Sequence, residues 1–164
     1  LNIVNSNFEI NNVEFIDIKG DAIDIEFSDG NIDNLSIINT TDDALDFSGS
    51  NVVLNNILIS SVADKAISAG EESRINISNL KIKDTNLGVV SKDLSNVEIR
   101  DLEISDTKIG ILAYQRKIEY GPSIVKASNV IFKNNTENIL PEENSRVFID
   151  NKMIDHVEID YSIF

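Results

Sequence analysis

A 22-residue period, two polar columns that keep step with it, and apolar alternation of period two inside each unit predict one fold class. The chain is expected to be all-β, a right-handed parallel β-helix (solenoid) of about seven coils. Six segments superimpose: Asn11–Phe15, Asp33–Ile37, Asn55–Ile59, Ser78–Ile82, Arg100–Ile104 and Ser128–Phe132. An Asn, or once an Asp, precedes the apolar residue in each: Asn12, Asn34, Asn56, Asn79, Asp101 and Asn129, with Asn151 as a seventh member. The spacings are 22, 22, 23, 22, 28 and 22. A serine column, Ser50, Ser73, Ser95, Ser123 and Ser145, repeats at 23, 22, 28 and 22. Two columns in one register are far more specific than either alone.

Each unit spells out its own parts. Between Asn96 and Tyr114, Val97 and Ile99 alternate with polar residues, Arg100-Asp101 interrupts, and Leu102 and Ile104 resume the alternation. After Ser105–Lys108 a third apolar run follows, Ile109–Ala113. That is three short strands joined by a two-residue bend and two longer turns. Such a unit cannot bury its apolar face alone, whereas stacked units share a core and rise by about 4.8 Å per coil. Hairpins do not explain a fixed period, and Asp29-Gly30 alone has the two-residue hairpin signature. A left-handed β-helix requires hexapeptide repeats, and a leucine-rich repeat requires a helical half; neither pattern is present.

Composition agrees. The 164 residues suit one domain, 1–164, and the 41% hydrophobic content is carried mainly by Ile, Val and Leu, which favour strands. With two prolines, turns fall to Asn, Asp, Gly and Ser. No run of 18 apolar residues is present, so membrane insertion is not expected. Zero cysteines exclude disulfides and thiolate metal sites. A net charge of −14 disfavours nucleic acid as a partner, because phosphate binding needs clustered Lys and Arg. Leu1 to Asp64 holds twelve acids against one base, Lys19, while eleven of the fourteen bases lie between Lys65 and Lys133. The acidity supplies solubility, or else the acidic half binds Ca²⁺ through carboxylate oxygens.

The strand, Asn-bend, strand grammar resembles the pectate-lyase-like superfamily of right-handed parallel β-helices over about Asn7 to Asp155. The resemblance implies an internal ladder in which Asn12, Asn34, Asn56, Asn79 and Asn129 hydrogen-bond from coil to coil. Asp101 departs from that ladder and, if buried, would need extra donors or a proton. The resemblance also implies a secreted or cell-surface, bacterial-type exoprotein, with polysaccharide lying along the third strands. It fixes no reaction.

The third strands read Ala22–Glu26, Ala44–Ser48, Ala66–Gly70, Gly88–Lys92 and Gly110–Tyr114. If Ile23, Leu45, Ile67, Val89 and Ile111 point inward, three outward columns follow. They are a small one from Ala22 to Gly110, then Asp24, Asp46, Ser68, Val90 and Leu112, then Glu26, Ser48, Gly70, Lys92 and Tyr114. Beside them lie Asp42, Asp43, Asp64, Lys65, Glu71 and Asp93. The 28-residue coil adds Gln115, Arg116, Lys117, Glu119 and Tyr120. Asp46, Ser68, Lys92, Tyr114, Arg116, Lys117 and Tyr120 are therefore the candidate saccharide contacts, since Tyr stacks on a ring and Arg forks onto a carboxylate. Asp24, Asp42, Asp43 and Asp46 are the candidate Ca²⁺ ligands. A lyase would pair such a cation with a base, Lys92, Arg116, Lys117 or Tyr114. A hydrolase would need two carboxyls about 5–9.5 Å apart, and Asp24 and Asp46 stand one rung, about 4.8 Å, apart. His156, the lone histidine, lies outside the repeat, which argues against His-based nucleophilic or zinc chemistry.

The leading functional expectation is an extracytoplasmic, non-catalytic module that binds or displays against carbohydrate. Its alternatives are a polysaccharide lyase or hydrolase acting on an acidic polysaccharide, and a purely structural spacer. Leu1–Val4 already reads as strand, so the chain is expected to be excised from, or to dock onto, neighbouring domains of a larger protein. Val157–Phe164 is expected either to pair as a last strand or to fold over the C-terminal end.

Overall fold

Stacked side chains of like size and polarity, repeated every coil, generate the architecture. A computed structural model of the chain describes residues 1–156; the expectation for Val157–Phe164 lies outside the described residues. Thirteen strands occur in order: β1 Asn2–Val4, β2 Asn7–Ile18, β3 Ile23–Glu26, β4 Asp29–Thr40, β5 Leu45–Ser48, β6 Asn51–Gly70, β7 Arg74–Lys92, β8 Asn96–Ser105, β9 Ile109–Tyr114, β10 Ile124–Lys133, β11 Glu137–Pro141, β12 Arg146–Ile149 and β13 Lys152–Met153. A coil is built from β2 with β3, β4 with β5, β6 alone, β7 alone, β8 with β9, and β10 with β11. Pairing between coils is parallel throughout, and β13 turns back antiparallel on β12. The result is an all-β solenoid of about seven turns with a repeat near 22 residues. No helix among the described residues is long and apolar enough to cross a membrane.

The register aligns the apolar residues into ladders. Val13, Leu35, Ile57, Leu80, Leu102 and Val130 stack in one, and Phe15, Ile37, Ile59, Ile82, Ile104 and Phe132 in another. From the second coil to the fifth these rungs are buried, each side chain contributing roughly 1.5–3 kcal/mol. Size is matched between rungs. Phe47, fully buried, lies opposite Ala69, so one large ring is accommodated by a small neighbour.

Two expectations are corrected here. The Asn ladder is external, not internal. Asn12, Asn34, Asn56, Asn79 and Asn129 are exposed, and all adopt φ between 52° and 58°. Asn is selected there because a bend needs the left-handed conformation, which Asn and Asp tolerate best among non-glycine residues. Asp101 (φ 62°) and Asn151 (φ 64°) obey the same rule, so Asp101 stands at a surface bend and not in a buried row. Amide bonds do run along the column: Asn34 Nδ2 donates to Asn12 Oδ1 at 3.2 Å, Asn79 to Asn56 at 3.0 Å and Asn129 to Asp101 at 2.6 Å, while Asn56 donates to Asp33. A second left-handed column, Asp17, Asn39, Ser61, Asp84, Asp106 and Asn134, marks the end of the second strands.

The buried polar ladder is made of serine. Ser28, Ser50, Ser73, Ser95, Ser123 and Ser145 are all buried. The backbone N–H of Ser28 donates to Ser50 Oγ, that of Ser50 to Ser73 Oγ, and that of Ser73 to Ser95 Oγ, each at 3.1 Å. The chain of bonds breaks where the 28-residue coil intervenes, the Ser95 N–H turning to Lys92 O, and resumes from Ser123 to Ser145.

The small column is the second correction. Ala22, Ala44 and Ala66 do not face outward; they belong to the core at the corner before the third strand. Further along, a Cβ on Gly88 would lie 2.4 Å from the Gly110 carbonyl oxygen, so only glycine fits that backbone approach.

Candidate functional site: the outward face of the third strands

This face has three columns; strand alternation gives the second and third, while the first stands at the corner before the strands. The first is Asp21, Asp43, Lys65, Leu87 and Ile109, linked from coil to coil by the Asp21 and Asp43 carboxylates and then by strand register, and it takes the place expected for the small residues. The second is Asp24, Asp46, Ser68, Val90, Leu112 and Leu140, as expected apart from its last member. The third is Glu26, Ser48, Gly70, Lys92 and Tyr114, also as expected. The face thus passes from carboxylates, through two lysines, to an apolar end.

At the acidic end the carboxylate oxygens of Asp21, Asp42 and Asp43 lie within 4.8 Å of one another. Asp24 and Asp46, named from sequence as ligands, stand in the adjacent column in register with each other. Asp21 was not singled out from sequence, although the 22-residue step from Asp21 to Asp43 to Lys65 signals it. Asp21 Oδ1 accepts the Asp43 N–H, and Asp43 Oδ1 accepts the Lys65 N–H, each at 3.0 Å. Three hard carboxylates suit a cation such as Ca²⁺, but Lys65 Nζ already lies 3.1 Å from Asp43 and 2.5 Å from Asp64.

Electrostatics at this end follow burial. Asp43 is 5% exposed, and desolvation outweighs Lys65 to push its carboxyl up from 3.8 to about 6. Desolvation also raises Asp21 and Asp24, aided by Asp42 and Asp46 at the first and by Glu26 and Asp46 at the second. Burial alone would lower Lys65, but its bonds to Asp64 and Asp43 raise it instead. One Asp46 oxygen, Oδ1, is buried with no hydrogen-bond partner.

In the middle, Lys92 is 8% exposed; its stem covers Gly70, and its ammonium donates to Ser68 Oγ at 3.1 Å. A Cβ on Gly70 would meet the Lys92 stem at 2.8 Å, so the glycine makes room for the lysine. Lys117, from the long coil, reaches back past the fourth coil to hydrogen-bond Glu71 in the third. That bond and the Glu71 charge raise Lys117; burial would raise Glu71, but Lys117 pulls it below its usual value.

The long coil is held in place rather than loose. Asp93 is fully buried in a left-handed turn, and its Oδ1 accepts the N–H groups of Arg116 (2.7 Å) and Lys117 (2.6 Å). Gln115 Nε2 donates to the carbonyls of Lys117 and Tyr120, closing the loop on itself. Lys117 Nζ lies 6.0 Å from the Tyr120 ring centroid. Arg116 is exposed, and Ile118 at the tip is 93% exposed.

The apolar end is closed. Leu87, Val90, Ile109, Leu112 and Tyr114 form a satellite cluster with Leu140. Tyr114 is 8% exposed, so it presents a rim and not a ring face, and burial raises its phenol. The structure therefore gathers Asp46, Ser68 and Lys92 on one face, with Lys117 and Tyr120 on the strap above it. It separates Tyr114 into the satellite cluster. His156 is exposed.

Residues 2–153 match the family model described as "Right handed beta helix region". Comparisons with curated proteins and with solved structures returned no match. With that match spanning nearly the whole chain, and parallel coils running from β2 to β12, the chain belongs to the right-handed β-helix family.

Proposed function

We propose that the chain is an extracytoplasmic, non-catalytic β-helical module that binds carbohydrate along the third-strand face and its strap. One observation carries this reading: the lysines that could act as a base are engaged as donors. Lys92 is buried on Ser68, and Lys117 is bonded to Glu71, which holds it protonated. A base that abstracts a proton must give up its own first, and a raised lysine does so least readily. Recognition has what it needs in Arg116 and Tyr120, which Asp93 and Gln115 hold on an ordered strap. The superfamily resemblance supports an exoprotein setting.

The test is turnover against retention. On a panel of uronate polymers the protein should release no ultraviolet-absorbing unsaturated ends. It should be retarded on affinity gels containing polysaccharide, and Arg116→Ala with Tyr120→Ala should weaken the retardation. Product formation by the wild type, lost in Lys92→Ala or Lys117→Ala, would make the chain a lyase. Neither turnover nor retention would make it a spacer.

A further inference from the structure

A second surface, away from the third strands, carries an inference of its own. On the outward face of the first strands lies a groove of about 370 Å³ lined by twelve residues, among them Asn76, Ser78, Arg100, Lys126, Ser128 and Phe148. That volume falls in the range of small-ligand sites. Register explains the groove. Asn76, Glu98, Lys126 and Phe148 occupy successive rungs of one outward column, and Ser78, Arg100 and Ser128 occupy the bend beside it. The lining runs from Val53 at one end to Phe148 at the other, with Ile77, Ile99 and Ala127 between the outward column and the bend. Arg74 and Arg146 stand two residues upstream of Asn76 and Phe148, on the same outward side. In a chain of net charge −14, the groove lining itself carries two cations against one acid, Glu98.

We infer that this groove binds an anionic saccharide unit, its acid group held by Arg100 and Lys126. Arg100 is 71% exposed along its side chain and donates to Ser78 Oγ at 3.2 Å, while its Nε lies 3.7 Å from Asp101. A guanidinium has five N–H donors in a planar fork; with one on Ser78 and Nε beside Asp101, three remain on a side chain that lines the groove, a set that suits a carboxylate or sulfate. Lys126, one rung on and diagonal to it, is paired with Glu98 at 2.8 Å, a surface pair of little net strength that an anion can reorganise. The amides of Asn76 and Asn151 and the hydroxyls of Ser78 and Ser128 both donate and accept, which fits a ring of hydroxyl groups better than an extended peptide. Phe148 adds a half-buried aromatic edge at the C-terminal end of the groove.

The inference rests on the reading of the chain as a saccharide-binding module, but it places a second site on a different face, and variants separate the two. Isothermal titration would use three hexasaccharides, one carboxylated (a uronate hexamer), one sulfated and one neutral (a glucose hexamer), with polyaspartate as a fourth probe. The carboxylated or the sulfated hexamer should bind, and comparison of the two identifies the acid group. In the Arg116→Ala/Tyr120→Ala background, which removes the third-strand contacts, the acid-bearing hexamer should still bind, and there Arg100→Ala should weaken binding at least tenfold and Arg100→Lys less. Raising the salt concentration should weaken it further. Equal binding of the neutral hexamer, binding of polyaspartate as tight as that of the sugars, or an Arg100→Ala change without effect in that background would overturn the inference. Loss of anionic-sugar binding only in the Arg116/Tyr120 variant would leave the third-strand reading standing and remove this site.

Discussion

The Ser50 backbone N–H donates to the hydroxyl of Ser73, one coil on, at 3.1 Å, and both residues are buried. The Ser73 hydroxyl in turn donates to Gly70 O at 2.6 Å, so it serves as acceptor between coils and as donor within its own turn. Removing it strands a buried N–H. Ser73→Ala is therefore expected to destabilise the fold by about 1–3 kcal/mol, read as a lower midpoint in urea with an unchanged slope. An unchanged midpoint would show that the serine column carries no net stability.

The external Asn column should behave differently. Asn56→Ala loses two exposed hydrogen bonds, one donated to Asp33 and one accepted from Asn79, and places a Cβ-bearing residue without a polar side chain at φ 56°, a conformational cost of about 1–2 kcal/mol. Asn56→Gly removes the same two hydrogen bonds but not the conformational fit, and should lie closer to wild type. Thermal melts in which Gly is as damaging as Ala would place the value of the column in its amide bonds instead of its backbone.

Asp43 gives a pH dependence with a defined sign. Its folded carboxyl titrates near 6, above its ordinary 3.8, so the folded state holds that proton more tightly. The stability this contributes is complete below about pH 4 and is lost as pH rises through about 6. Asp43→Asn keeps an acceptor for the Lys65 N–H and should stabilise the fold at pH 7 by an amount on the order of 2–3 kcal/mol, read as a higher melting temperature. At pH 4 the gain should vanish. Asp21 and Asp24, also raised, act in the same sense, while Glu71, which is lowered, acts in the opposite one. An Asp43→Asn melting temperature below wild type at pH 7 would show that the Lys65 pair outweighs the desolvation.

Ca²⁺ is expected to compete with Lys65 for the acidic end. If Asp21, Asp42 and Asp43 hold the ion, millimolar Ca²⁺ at pH 7 should raise the melting temperature with concentration. Asp21→Asn with Asp42→Asn should abolish the rise, and Lys65→Gln should enlarge it. Calorimetry without heat, and melts without a shift, would leave the acidity as a source of solubility.

Sequence by itself determined the period, the strand grammar and the inward ladders, because each coil repeats the same local choices and alternation dictates which residues share a face. Asp24, Asp46, Ser68 and Lys92 could be placed on one outward row for that reason. Whether a repeated polar residue is buried or exposed was not legible. Asn and Ser columns keep the same period, and only the packed coils show that Ser faces the interior while Asn fills left-handed bends at the surface. Nor could the chain reveal that Lys117 reaches Glu71 across an intervening coil, or that Tyr114 joins Leu112 in a closed cluster. Those contacts join residues 46 apart, or depend on how the strap and neighbouring turns cover the face. The groove beside Arg100 is likewise a product of stacking, since concavity arises from side-chain sizes on adjacent rungs and no single coil contains it.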